Sequence, residues 1–458
     1  MITKIEIDGF KTLQAATIPL RPFLAFAGPN NTGKSNLFDA LRLLSLLPSY
    51  DLPDILQTVR GDPFEIFSLQ ADGTYRQRLH IAVELLLDPS FYDEFEGWIT
   101  LKRTWLRYEL TLEREEHDHG SRVQIAREQL LVKPSDDRLP WAASSAFKQI
   151  HVVTKRRNAP YISLNPEGEI TVHQDGAERG RPRLMRRGTR QSILHVLRDA
   201  GEFPHICAVR NELLRWRFIH LDPEAMREAN AIDGPDRMDH HGRYLAAALQ
   251  RIMRQNSSAQ AEISAWVRQF IPGARQIHVR QLDELYRYLI ELETLDGRRF
   301  SSRVLSDGTL RMLGLLALQY DEDQVGLICL EEPENGVHPR RLKTVVDVLK
   351  GFATDPLQED VDQNELIPLR QVLINTHSPQ LVRELSPEDL ILVEALTQIG
   401  NGDASIRSTS YRPVMQPKYG PLFTEEALQE PTQQRLTALL EERDLGALWV
   451  DGALGGVP

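Results

Sequence analysis

Residues 28–35 read GPNNTGKS, Gly28 through Ser35. The spacing G-x-x-x-x-G-K-[ST] is that of a phosphate-binding loop. Gly28 and Gly33 let the backbone turn and approach an anion with no Cβ in the way. Successive amide N–H groups then point inward, at the positive end of the helix that follows. Lys34 reaches the β- and γ-phosphates of a nucleotide. The Ser35 hydroxyl takes a place on Mg²⁺, an ion that prefers oxygen ligands. The flanks agree. Residues 22–27 (PFLAFA) are a short apolar run that stops at Gly28, as a buried strand feeding a turn does. Beyond Ser35, Leu37, Leu41 and Leu44 recur at helical spacing, so a helix packs on a sheet. The candidate nucleotide-binding residues here are Gly28, Pro29, Asn30, Asn31, Thr32, Gly33, Lys34, Ser35 and Asn36.

Working outward, Ile5 and Ile7 alternate with Lys4 and Glu6, a half-buried strand. Residues 79–85 alternate in the same way. Short strand-like pieces follow at 108–112 and 123–126. Residues 205–270 turn helical, most clearly over 241–255. From 300 onward strand and helix alternate, as expected of an α/β core. Residues 353–368 are acidic and contain proline, which predicts an exposed loop. No internal repeat and no sustained heptad array is present.

Three further elements lie in the far half. Ser306, Asp307 and Gly308 precede the apolar stretch MLGLLAL, a capped helix start that offers amides and a hydroxyl to a phosphate. Residues 325–330 are a short apolar strand followed by Glu331 and Glu332. Adjacent carboxylates at a strand end are costly unless they meet a cation or water. They point to opposite sides, so one suits Mg²⁺ and the other suits orienting or deprotonating an attacking water. A third apolar strand, VLINT, leads to His377, whose imidazole suits bonding a γ-phosphate and the water, although a lone histidine at a strand end also reads as a plain surface residue.

GPNNTGKS, LSDGT, a strand ending in EEPENGVHP, and NTHSP, in this order, resemble the ABC-type ATPase heads of the SMC, RecF and OLD group. The likeness is to stand-alone bacterial AAA family ATPases, several of which are ATPase subunits of phage-defence systems. The motifs cover about residues 1–50 and 300–380. The resemblance implies an α/β P-loop ATPase head, with a mixed β-sheet core flanked by helices and an inserted β-plus-helical region. It makes residues 28–35 the Walker A loop and Ser306 and Gly308 part of the signature motif. It places Glu331 at the Mg²⁺-associated Walker B position, with Ser35 as the other metal-site residue. Glu332 becomes the catalytic glutamate, Asn335 to His338 the D-loop region, and His377 the switch histidine. Glu331 stands where aspartate is commoner in transporter-type relatives. Gln70 is a weak match to the Q-loop glutamine. The resemblance further implies ATP and Mg²⁺ as cofactors. It implies a homodimer in which the signature motif of one copy completes the nucleotide site of the other, with higher oligomers open.

The expected division is residues 1–100 and 271–415 as the two parts of the head, 101–270 as the insertion, and 416–458 as a terminal helix and tail. The roughly three domain-sized units expected from 458 residues agree with this. Only about 250 residues without heptads separate the half-heads, which argues against a long DNA-tethering arm. The 81 residues after His377 show no nuclease constellation, so the expectation is an effector, such as a nuclease, on a separate polypeptide. Six arginines between Arg179 and Arg190, with Lys155, Arg156 and Arg157, fit a phosphate backbone, a solvated loop or an acidic partner. DNA therefore stays open as a partner, and with it a RecF-like repair role. His117 and His119 could pass for metal ligands, but Asp118-His119-Gly120 reads better as a hairpin turn between two strands. Asp239 with His240 and His241 reads as a helix cap, and 431–445 as an amphipathic helix. A net charge of −11 argues against a chain that coats nucleic acid with its whole surface. Two cysteines exclude a disulfide framework and fit a reducing, cytoplasmic setting. No signal-peptide core or membrane-length apolar run appears, so no membrane partner is expected.

Overall fold

The structure is a computed structural model. It describes residues 1–458 except 118–119, 135–138, 140, 142, 156–158, 176–182, 186–187, 322–325, 359–367, 400–404, 415–443 and 451–458. The apolar run before the phosphate loop forms the strand Phe23–Ala27, with all five residues buried. Such a run needs cover on both faces, as in a parallel sheet. Its sheet has the order Arg217–Ile219, Gly326–Glu331, Arg370–Thr376, Phe23–Ala27, Leu390–Ile399 and Ser405–Pro413. The first five strands are parallel and the last is antiparallel.

Period-two alternation sorts this sheet's side chains between two cores. Leu24, Phe26, Leu327, Cys329 and Leu373 join the helices Lys34–Leu46 and Pro204–Leu214 and the inner face of a long antiparallel sheet. Phe23, Ala25, Ala27, Ile328, Leu330, Val372 and Ile374 face the helices Leu245–Gln255, Ala259–Phe270, Asp307–Tyr320 and Leu342–Phe352. The mixed α/β P-loop head expected from the motifs is therefore the observed architecture.

The second sheet has eight antiparallel strands, from Arg183–Met185 at one edge to Ala16–Pro19 at the other. The fragments read at 108–112 and 123–126 are parts of one hairpin, Trp105–His117 against Gly120–Val132. His117 lies opposite Gly120, and residues 118–119 lie outside the described residues, so the turn reading at His119 stays there too. Strand Arg78–Leu86 pairs with Trp105–His117 along nine positions, so the division expected at residue 100 falls inside one sheet. Strand Arg217–Ile219, from the expected insertion, is likewise an edge of the parallel sheet. A third sheet, built on Ala274–Leu282 and Arg287–Thr294, packs on the helices of the second core.

The helix expected from 241 begins at Leu245 instead. Tyr244 before it takes a left-handed conformation, and Asp239 caps no helix. Its carboxylate accepts the His241 and Arg243 amides at 2.9 Å each and so holds the preceding turn. Much of the Arg179–Arg190 tract, Arg156, Arg157 and the 431–443 stretch lie outside the described residues. A short helix, Leu445–Val450, follows that stretch. Cys207 and Cys329 are both free and buried. Among the described residues no helix is long and apolar enough to cross a membrane.

Candidate active site

The carboxyl ends of parallel strands gather loops, and ligands bind there. Phe23–Ala27 delivers the phosphate loop, Gly326–Glu331 the two glutamates and Arg370–Thr376 the histidine. A cavity of ≈ 740 Å³ opens between them, lined by Asn30, Asn31, Gly33, Lys34, Ser35, Asn36, Glu331, Glu332 and Asn375, together with Thr12, Arg60, His220 and Arg407.

The loop's glycines are both required. A Cβ on Gly28 would overlap the Val393 carbonyl, and Gly33, at φ +97°, would drive one into the Thr409 hydroxyl. Thr409 donates to the Thr32 carbonyl at 2.9 Å and bonds Thr12 at 2.6 Å. The Asn36 amide donates to Thr12 at 2.7 Å, so Asn36 ties the helix start to the first strand's loop. Thr32 turns its hydroxyl to the Pro29 carbonyl at 2.9 Å. Lys34 is buried and donates to the Gly28 and Pro29 carbonyls at 2.6 and 2.7 Å. Burial pulls its ammonium below the ordinary lysine pKa, and the charges of Glu332 and Glu334 oppose that pull.

Glu332 sits at φ +47°, an uncommon conformation for a residue with a side chain. Its amide donates to the Asn375 carbonyl at 3.0 Å and lies 3.2 Å from the Asn375 side-chain oxygen, which holds the backbone there. Its carboxylate accepts the Asn335 amide at 2.7 Å and meets His377 Nδ1 at 2.8 Å. Burial pushes its pKa up, but the Asn335 bond, His377 and Lys34 together hold it below the usual carboxylate range. The two expected catalytic residues, Glu332 and His377, are thus in direct contact. Glu331 points to the other side, toward His220, with 4.0 Å between its carboxylate and the imidazole Nδ1.

Sequence reasoning missed Glu334. It is buried, bonded by the Thr376 hydroxyl through one oxygen, while the other has no hydrogen-bond partner. Burial raises its pKa. The third acid in EEPEN was the only signal. Thr12, Thr409, His220, Arg60 and Arg407 were also missed, because they come together only through tertiary pairing. Gln70 lies on an exposed loop, where its amide donates to Thr74 at 3.2 Å. It lines a neighbouring cavity with Lys11, Tyr75 and Arg407, and not the one that holds Glu331.

Ser306, Asp307 and Gly308 are not among the residues lining the phosphate-loop cavity. Ser306 caps the helix Asp307–Tyr320, accepting the Thr309 amide at 3.3 Å, and both Ser306 and Asp307 are exposed. Gly308 packs on the Glu332–Val337 turn, where an added Cβ would lie 2.5 Å from the Gly336 carbonyl. Arg227 clasps the loop from behind, donating to the Leu305 carbonyl at 2.5 Å and pairing with Asp307.

The sequence matches a family described as "AAA domain, putative AbiEii toxin, Type IV TA system" over residues 23–383. That span holds all four motifs. The chain belongs to this family. No curated protein matches it. Solved structures similar to this AAA protein include an SMC head bound to the C-winged helix domain of ScpA, with TM-score 0.47 and 13% identity over 89% of this chain and 98% of that one. A second is an Smc head with an extended coiled coil bound to the C-terminal domain of ScpA from Pyrococcus furiosus, with TM-score 0.45 and 11% identity over 96% and 99%. A third is an SMC head domain from Thermotoga maritima, with TM-score 0.37 and 14% identity over 90% and 99%. The AAA protein's fold and family are those of ATP-binding P-loop ATPases.

Proposed function

We propose that this AAA protein hydrolyses ATP at sites shared between two copies and works as a cytoplasmic molecular switch on a separate effector, in defence against phage. One observation carries the two-copy reading: the phosphate loop and both glutamates share one cavity, while the signature residues of the same chain lie outside it. A second copy would supply Ser306 and Gly308 to the exposed side of the nucleotide. The phrase "Type IV TA system" in the family description supports a second component encoded elsewhere.

The chemistry follows from the side chains. Lys34 exchanges its two carbonyl partners for β- and γ-phosphate oxygens, which are stronger acceptors for an ammonium. Glu332, kept ionised, accepts a proton from the attacking water, and His377 orients that carboxylate. Ser35 and Glu331 are both oxygen donors on the cavity wall and fit a divalent ion. A Mg²⁺ ion held there would neutralise charge on the phosphates. ATP that binds the closed pair better than the separate copies shifts the population toward the pair, and loss of the γ-phosphate releases it.

Glu332→Gln tests this reading. Turnover is expected to fall by roughly 10²–10⁴-fold while ATP still binds. Light scattering should then report a trapped dimer with ATP. A monomer under those conditions would remove the switch. Co-elution with the product of a neighbouring gene is the matching test for the effector.

A further inference from the structure

Between the strands Arg78–Leu86 and Trp105–His117 the chain leaves the long sheet and makes a small hairpin of its own, Ser90–Asp93 against Gly97–Thr100. Period-two alternation splits its side chains between two faces. Phe91 is buried and Ile99 packs against the first core, so Tyr92 and Trp98 are turned outward. They pair across the strands, edge to face, with ring centroids 5.9 Å apart. Phe95 stands in the turn. Tyr92 is 61%, Trp98 72% and Phe95 94% exposed, whereas Trp105, Trp141, Trp216 and Trp449 are buried and Trp266 half-buried. Aromatic side chains of this size are ordinarily covered, and a grouped apolar patch marks a place of association.

The patch sits on a firm frame. The Asp93 carboxylate accepts the Phe95 and Glu96 amides at 3.0 and 3.1 Å and so fixes the turn. The Leu101 amide donates to the Pro89 carbonyl at 2.8 Å and closes the base of the hairpin. A partner therefore meets rings already in place, at little cost in ordering. No lysine, arginine or histidine occurs between Asp88 and Leu101, and Glu94 and Glu96, on either side of Phe95, are exposed. That charge decides the occupant. The phosphates of a nucleic acid, an anionic membrane surface and a second copy of this hairpin would all meet carboxylates of like sign. A cation gains twice, from the carboxylates and from the faces of the rings. None of these residues lines the phosphate-loop cavity, so the surface is separate from it. We propose that the hairpin Ser90–Thr100 is a docking surface for a separate protein that presents a cationic segment, with arginine or lysine alternating with apolar side chains. Its cations lie on Tyr92, Phe95 and Trp98 within reach of Glu94 and Glu96, and its apolar side chains cover the remaining ring surface.

The test is ¹⁹F NMR on the full chain labelled with 5-fluorotryptophan, titrated with a short peptide of alternating arginine and leucine. The Trp98 resonance is the one missing from Trp98→Phe. It should shift in the titration. The double change Glu94→Lys with Glu96→Lys should weaken that binding on the order of tenfold, with the melting midpoint as in the wild type. A matching peptide of alternating glutamate and leucine, a DNA duplex and vesicles containing phosphatidylserine should leave the resonance in place. No shift with the arginine peptide, binding that leaves the Trp98 resonance unmoved, or equal affinity in the charge-reversed variant overturns the proposal. An equal shift with the glutamate peptide, DNA or vesicles also overturns it, since the surface would then belong to another class of partner.

Discussion

Two loops of this chain each open a helix rich in buried leucine, and they are held in opposite ways. Gly28–Ser35 is braced by the neighbouring strands and by its own lysine. Val393 closes on Gly28, Thr409 on Gly33, and Lys34 is tucked under the loop's own carbonyls. It faces a cavity already furnished with two glutamates. Leu305–Gly308 is braced only from behind, by Arg227 and the Gly336 carbonyl, and its capping serine is exposed. One loop already lies on its cavity, and the other, among the described residues, lies outside it. An isolated copy explains the first arrangement but gives the second no purpose. The proposed pairing of two copies gives it one.

The largest effect should come from the braced loop. Lys34→Ala removes the main cationic contact and should abolish nucleotide binding in equilibrium dialysis. Full-strength binding in that variant would end the comparison at its first member. A smaller and differently shaped effect is expected at the other loop. Arg227→Ala frees the Leu305 carbonyl and the Asp307 carboxylate, so the signature loop loses its clasp. Turnover should drop several-fold while nucleotide affinity in the single copy stays as in the wild type. Equal loss of affinity would show that the two loops are not separate halves. The smallest effect belongs to the bracing itself. Thr409→Val deletes one buried and one partly buried hydrogen bond and should lower stability by roughly 1–2 kcal/mol, read as a shifted denaturation midpoint. An unchanged midpoint would mean that the loop holds its shape without this strand.

The difference between the loops also marks what could be read without a structure. The local pieces of the site were legible: the strand, loop and helix at 23–46, the acids at 331–332 and the strand ending before His377. Those signals lie within a few residues of one another, where periodicity and turn chemistry act. The contacts that bind these loops together join residues far outside any local window. Thr12 with Thr409, Gly308 with Gly336, and His220 with Glu331 carry no sequence signature, because each depends on which strands become neighbours. The long hairpin 105–132 was read as fragments for a related reason. Charged pairs such as Arg78 with Glu113 are stabilised across strands, and along one strand they only interrupt the apolar alternation.

The most direct test mixes two variants, Lys34→Ala and Ser306→Arg, each unable to turn over ATP alone. The two-copy account predicts recovery to about a quarter of wild-type turnover. Half of randomly mixed pairs contain both variants, and each such pair has one intact site of two. Wild-type turnover by Ser306→Arg alone, with no gain on mixing, would show the site complete within one copy and would contradict the account.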